Sequence, residues 1–152
     1  MSLLRNIFKR FTRQSSGNVA AVKRDYRQKA VCSALFLNIE SYLLESQRYL
    51  DKDISRATLA CELETNVTYI ARAIRDGAGM TVNEYIRSFR IDHAHHLLSD
   101  PLNITNVSKI AKDCGFNNRT SFYRGFVARY GVSPNEYRER VILKELRENK
   151  GS

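Results

Sequence analysis

Two arginines fifty-two residues apart, Arg72 and Arg124, stand among side chains suited to reading a polyanion. A guanidinium is a planar fork of donors that pairs bidentately with a guanine edge. Beside Arg72 lie Thr68, Ala71 and Arg75; beside Arg124 lie Arg119, Thr120 and Tyr123. Small side chains such as Thr68 and Ala71 suit the methyl group of thymine. Asn66, Arg87, Asn118 and Ser121 are donors of the kind that hold phosphates, contacts that fix register rather than sequence. The competing assignment for Arg72 and Arg124 is a structural ion pair with Glu62 or Asp113, and for Tyr123 a plain exposed tyrosine. Recurrence at one offset on outward positions favours recognition for the two arginines.

Other chemistry is thinner. His93, His95 and His96 stand as His-Ala-His-His, with His93 and His96 one helical turn apart. No second ligand pair lies near them in sequence, so no metal is expected. Cys32, Cys61 and Cys114 are odd in number and lack CxxC spacing, which points to a reducing cytoplasm and away from disulfides or a zinc knuckle. Cys61 and Cys114 read as core fillers. There is no Ser/His/Asp set, paired carboxylate or phosphate-cradling glycine loop, so neither an enzyme nor a cofactor is expected.

The elements that position these residues emerge when the chain is compared with itself. At an offset of 52, Asn66 meets Asn118, Ile70 meets Phe122, Ile74 meets Phe126 and Gly79 meets Gly131. Asn83-Glu84-Tyr85 falls on Asn135-Glu136-Tyr137. Just upstream the offset is 51, with Leu59-Ala60 on Ile110-Ala111 and Leu63 on Cys114. Two copies of one unit, differing by one residue in an internal turn, account for this; two are too few for a solenoid.

Each copy reads as two short helices. Ser55 caps a helix carrying Leu59, Ala60 and Leu63. After a turn at Glu64-Thr65, Asn66 caps a helix with Val67, Ile70 and Ile74 on one face, ended by Gly77 and Gly79. In the second copy Asn106 caps Val107, Ile110, Ala111 and Cys114. Gly115-Phe116-Asn117 turns, and Asn118 caps a helix with Phe122 and Phe126 inward. Helix, short turn, helix with one free face is the helix-turn-helix pattern. Residues 81–99 predict one long linking helix, stopped by Asp100-Pro101, with Val82, Tyr85, Ile86, Phe89, Ala94, Leu97 and Leu98 inward. Residues 27–47 predict another, with Val31, Leu35, Ile39, Tyr42 and Leu43 inward. Residues 135–146, after Pro134 at the first helical position, predict a last. The fold class is all-α.

The chain has 152 residues and a net charge of +9. Arg5, Lys9, Arg10, Arg13, Lys23, Arg24, Arg27 and Lys29 against Asp25 place +7 of it in residues 1–29. Net charge therefore favours a polyanionic partner without locating it on the repeat. Leu3, Leu4, Ile7, Phe8 and Phe11 fall in one helical sector opposite Arg5, Lys9, Arg10 and Arg13, a basic amphipathic segment. It suits a membrane surface or a protein partner through residues 1–13, or an arm packed on its own domain; residues 14–18 read as a linker. No apolar run long enough to span a bilayer and no secretory signal is readable.

Residues 54–138 resemble the AraC/XylS family of bacterial transcription regulators. The match rests on Ile110-Ala111-Lys112-Asp113-Cys114-Gly115-Phe116, on Ser121-Phe122-Tyr123-Arg124-Gly125-Phe126, and on Gly131-Val132-Ser133-Pro134-Asn135-Glu136-Tyr137-Arg138. The wording around Tyr49-Leu50-Asp51 and residues 119–124 is similar to Bacteroidetes members. Two positions depart from the family: Glu64 stands where a turn glycine is usual, and Val127 where a lysine is usual. The resemblance implies two homeodomain-like helix-turn-helix subdomains joined by the linking helix. The expected divisions are a basic arm at 1–30, a first unit with its linking helix at 31–100, a second unit at 101–140, and a helix end and tail at 141–152. It also implies base contacts from the same four positions of each second helix, and double-stranded DNA as partner. The expected function is sequence-specific transcription regulation, activating as in most of the family, with RNA polymerase as a further partner, in the cytoplasm on the nucleoid. No ligand-sensing domain is expected in the residues upstream of the repeat; the alternative is that the chain is the DNA-binding end of a longer sensor.

A monomer suffices for an asymmetric site, because major grooves on one face of a duplex lie about 34 Å apart. Helices held closer would require DNA bent at a cost on the order of 1–6 kcal/mol. The alternatives are a less specific architectural or RNA-binding protein driven by the basic arm, and a membrane-surface protein in which Arg72 and Arg124 are dispensable.

Overall fold

In the computed structural model, which describes residues 19–150, every helix start between Ser55 and Ser133 is set by a side chain that satisfies an orphan backbone N–H. Ser55 Oγ accepts from Thr58 N, Asn66 Oδ1 from Thr68 N, Asn106 Oδ1 from Lys109 N and Asn118 Oδ1 from Ser121 N. Thr81 and Glu84 close a reciprocal capping box, and Ser133 and Glu136 close a second one fifty-two residues later. The resulting elements are α1 (Val19–Ser46), a 3-10 turn (Arg48–Leu50), α2 (Arg56–Glu62) and α3 (Val67–Ala78). They continue with α4 (Val82–Ser99), α5 (Val107–Asp113), α6 (Arg119–Tyr130) and α7 (Pro134–Lys150). Among the described residues there is no strand. The amphipathic segment expected at residues 3–11 and the linker expected at 14–18 lie outside the described residues.

The two offsets seen in the sequence coincide with helix boundaries. Moving α2 by 51 gives α5, and moving α3 by 52 gives α6. Gly79 (φ 68°) and Gly131 (φ 74°) end α3 and α6 in the left-handed conformation that glycine adopts without strain. Duplication also reaches the framing helices. Ile39 on α1 and Ile91 on α4 are both buried. Tyr85 and Tyr137 each reach back to the preceding frame, to Glu40 Oε1 at 3.5 Å and Ser99 Oγ at 2.9 Å. Helix α4 thus closes the first unit, against α3, and opens the second, against α6.

Two cores follow from this sharing. Val82, Tyr85, Ile86 and Phe89 of α4 join a largely aliphatic core with Ile39, Leu43, Leu59, Ile70 and Ile74. Ile91, Ala94 and Leu98 join the second, where Phe122 and Phe126 replace Ile70 and Ile74 and Phe116, Tyr130 and Tyr137 surround them. Leu50 packs against both.

Several expectations are corrected. Helix α1 begins at Val19, not near residue 27, and α7 runs from Pro134 to Lys150. Val31 is 58% exposed, because the face of α1 turned to α3 follows Cys32, Leu35, Phe36, Ile39 and Leu43, about 100° away. Gly77 does not end α3: it lies inside it, where an added Cβ would collide with the Phe36 ring. Cys61 is exposed on α2, whereas Cys32 and Cys114 are buried.

Candidate nucleic-acid interface

The turn in each unit is closed by the same pair of backbone bonds. Thr65 N donates to Ala60 O at 2.8 Å and Glu64 N to Cys61 O at 3.2 Å. Phe116 N donates to Ala111 O at 3.0 Å and Gly115 N to Lys112 O at 3.0 Å. That geometry forces a positive φ at the turn residue, 49° at Glu64 and 81° at Gly115. Glu64 therefore holds, with a side chain, the left-handed conformation that Gly115 adopts in the second copy. The one-residue difference is Asn117, inserted between Phe116 and the cap Asn118.

With Ile70, Ala73 and Ile74 buried, α3 presents Thr68 and Arg75 to solvent. Arg72 is partly exposed and lies 3.5 Å from Asp76 one turn on, not on Glu62, which pairs with Arg48 and Tyr42. Ala71, expected outward, is half-buried against the first core, because its position borders the inward face. On α6, Arg119, Thr120 and Arg124 are exposed. Tyr123 is half-buried, with its ring edge-on to Phe122, and its hydroxyl accepts from Arg119 Nη2 at 2.9 Å. Arg124 makes no ion pair among the described residues, and Asp113 is taken by Lys109 at 2.9 Å.

The two faces differ electrostatically. Helix α3 carries Asp76 on its arginine face, where α6 has Ala128. Among the described residues the only acid engaging an α6 arginine is Asp92, 2.6 Å from Arg129 at the far end of the helix. Helix α6 is the more positive surface at its N-terminal end.

Of the expected phosphate donors, Arg87, Asn118 and Ser121 line one open cleft between the units, and Asn66 does not. Asn66 and Asn118, both exposed, use Oδ1 for capping, which leaves each Nδ2 amide as a donor.

Two arginines escaped sequence reasoning. Arg90 on α4 donates through Nε to Tyr49 O at 2.6 Å and through Nη2 to Asp51 O at 2.7 Å, pinning the loop before α2. Arg138 on α7 donates through Nη1 to Thr105 O and through Nη2, at 2.9 Å, to Asn103 O, pinning the loop before α5. Each holds carbonyls two residues apart, so each loop enters its unit at a fixed angle.

His93 and His95 serve the interior, whereas His96 is exposed. His93 Nδ1 lies 3.2 Å from Tyr49 Oη, and His95 stacks on Tyr130 at 4.1 Å beside Phe126 and Tyr137. Burial holds both imidazoles below the usual histidine pKa. Burial also pushes the Cys114 thiol up to about 12, which leaves it an inert core group. Among the described residues no group of three or more His, Cys, Asp or Glu could hold a metal ion, and no helix is long and apolar enough to cross a membrane.

Comparison with known proteins places this geometry. A family profile described as a helix-turn-helix domain matches residues 59–140, more than half of the chain. The HTH-type transcriptional activator RhaR of Klebsiella pneumoniae is 35% identical over 71 residues, covering 47% of this chain and 25% of that protein. The chain thus spans about a quarter of the length of that relative. Among solved structures, a probable AraC family transcriptional regulator from Rhodopseudomonas palustris is 27% identical, with a TM-score of 0.61 over 68% of this chain and 93% of that one. The DNA-binding domain of AdpA, in complex with a target DNA, shares the fold at 22% identity, with a TM-score of 0.60 over 72% of this chain and 94% of that one. Two capped helix-turn-helix units on a shared helix, matched across residues 59–140, make this chain a member of the AraC/XylS helix-turn-helix family.

Proposed function

We propose that the chain is a sequence-specific DNA-binding regulator of transcription that lays α3 and α6 in successive major grooves of one duplex. The observation that carries this reading is the duplication itself. Two capped helices of equal length each present arginine and threonine beside a buried apolar stripe. A helix of this width fits the major groove, and residues near its N-terminal end meet base edges. Base contacts come from Thr68, Ala71, Arg72 and Arg75 on α3 and from Arg119, Thr120, Tyr123 and Arg124 on α6. Asn66, Arg87, Asn118 and Ser121 hold phosphates. Half-buried Ala71 and Tyr123 contribute shape and apolar contact more than hydrogen bonds. Residues 31–100 and 101–140 act as the two reading units, and one chain reads an asymmetric site as a monomer.

The relatives named as activators support activation. Contact with RNA polymerase, in the cytoplasm on the nucleoid, belongs to the same proposal. Selection of bound duplexes from a random DNA pool, followed by affinity measurement, tests the reading. A selected site bound at least about 10³-fold more tightly than random DNA is expected. Equal affinity for both would overturn sequence specificity.

A further inference from the structure

The cleft between the two units has a lining that the base-reading helices do not explain. It is built from three segments: the loop before α2, one face of α4, and the turn and first residues of α6. Lys52, Arg87 and Arg90 line it, no aspartate or glutamate does, and its volume is about 250 Å³. Asn117, Asn118 and Ser121 add neutral donors on the opposite wall.

Arg90 is half-buried, and carbonyl oxygens rather than a carboxylate hold its guanidinium. The nearby Asp51 carboxylate is already engaged, with Arg48 at 2.7 Å and with the Asp53 N–H at 2.9 Å. Burial lowers the Arg90 pKa, the Asp51 charge opposes this, and the charge of Arg87 lowers it again. Two like charges facing one concavity, one of them partly desolvated, are stabilised by an anion placed between them. The floor is kept low by Gly115, where a Cβ would stand 2.7 Å from Leu50 O and 3.0 Å from Arg90 Nε.

We propose that this cleft is a phosphodiester-binding site, gripping one backbone phosphate of bound DNA between the two grooves that α3 and α6 read. Lys52 belongs to the first unit, Arg87 to the shared helix, and Asn117 to the second unit. A phosphate held by all three therefore ties the units into one orientation on the duplex. The inserted Asn117, which has no counterpart in the first unit, extends the turn toward the cleft. This inference rests on the DNA-binding reading above, and adds Lys52, Arg90 and Asn117 to the residues that serve it.

The test uses the full chain as wild type, as Lys52→Ala, as Arg87→Ala and as the pair, with Arg124→Ala as a base-reading control. Lys52 and Arg87 are exposed, so the substitutions leave both cores intact. Affinity for a selected duplex and for random DNA is measured across a salt series. Each cleft variant is expected to bind both duplexes several-fold more weakly, with unchanged base preference and a log–log salt slope smaller by about 1 per cation removed. Replacing single phosphates by neutral methylphosphonates should reveal one central position whose neutralisation weakens the wild type but not the pair.

An unchanged slope in the pair, with affinity lost in Arg124→Ala, would overturn the cleft while leaving the DNA reading intact. No preference for any duplex by the wild type would overturn both. Inorganic phosphate that raises the melting temperature of the wild type but not the pair, with the DNA slope unchanged, would assign the cleft to a small oxyanion and overturn the phosphodiester assignment.

Discussion

Glu64 and Gly115 fill the same place in two copies of one turn, so exchanging their characters gives a prediction with an internal control. Glu64 has φ 49°, where a residue with a Cβ is strained by about 1–2 kcal/mol. Glycine removes that strain, but its freer unfolded chain costs about 0.4–1 kcal/mol. Glu64→Gly should therefore stabilise the fold by about 0.5–1 kcal/mol. Gly115→Ala carries the same strain, at φ 81°, and adds a collision. The new Cβ would lie 2.7 Å from Leu50 O, on a loop whose neighbouring carbonyls Arg90 already holds. That backbone cannot yield cheaply, so the loss should reach about 2 kcal/mol or more. In a chain of this size about 1 kcal/mol moves the melting midpoint by about 2–4 °C. The first substitution should raise it slightly and the second lower it by at least about 4 °C. Urea titrations with unchanged m-values would measure both. Equal stability of Gly115→Ala and wild type would refute the reasoning, as would a Glu64→Gly variant less stable than wild type.

Phe122→Ala, which empties the centre of the second core, should cost about 3–5 kcal/mol in denaturant titration; less than about 1 kcal/mol would show a core that collapses around the loss. Asp76→Asn should release Arg72 and raise DNA affinity by up to about 5-fold at low salt, since exposed pairs are worth about 0.2–1 kcal/mol; weaker binding would count against Arg72 as a contact. His95 should lower stability in acid. Burial depresses its folded pKa below the unfolded value of about 6.5, so the unfolded chain takes the proton first and stability is lost as pH falls below about 6.5. His95→Gln should flatten that slope in pH-dependent melts; an undiminished slope would exclude His95 as a contributor.

Local and periodic features were readable from the chain, and long-range ones were not. Ser55, Asn66, Asn106 and Asn118 announce helix starts because a cap bonds within three residues. The 51/52 offset placed the starts of α3 and α6 at the correct residue. Val31 was misassigned because a helix with apolar residues on two faces does not reveal which face a partner covers, and Cys32 marks that face only after folding. Gly77 looked like a terminator because its role is distance from Phe36 on another helix, which no local pattern encodes. Arg90 and Arg138 were silent for the same reason: a guanidinium on carbonyls about 30–40 residues away leaves no spacing signal. Of the candidate site, the outward arginines on α3 and α6 were legible. The ion pair of Arg72, the half-burial of Ala71 and Tyr123, and the cationic cleft arise from rotamers and tertiary packing that no local pattern encodes.

The most direct measurement is a base-by-base comparison of the sites selected by wild type, Arg72→Ala and Arg124→Ala. The account predicts that each variant loses about 1–3 kcal/mol of discrimination at its own position, the two positions lying about one helical turn, 10–10.5 base pairs, apart. Unaltered sites in both variants, or relaxation at one shared position, would contradict it.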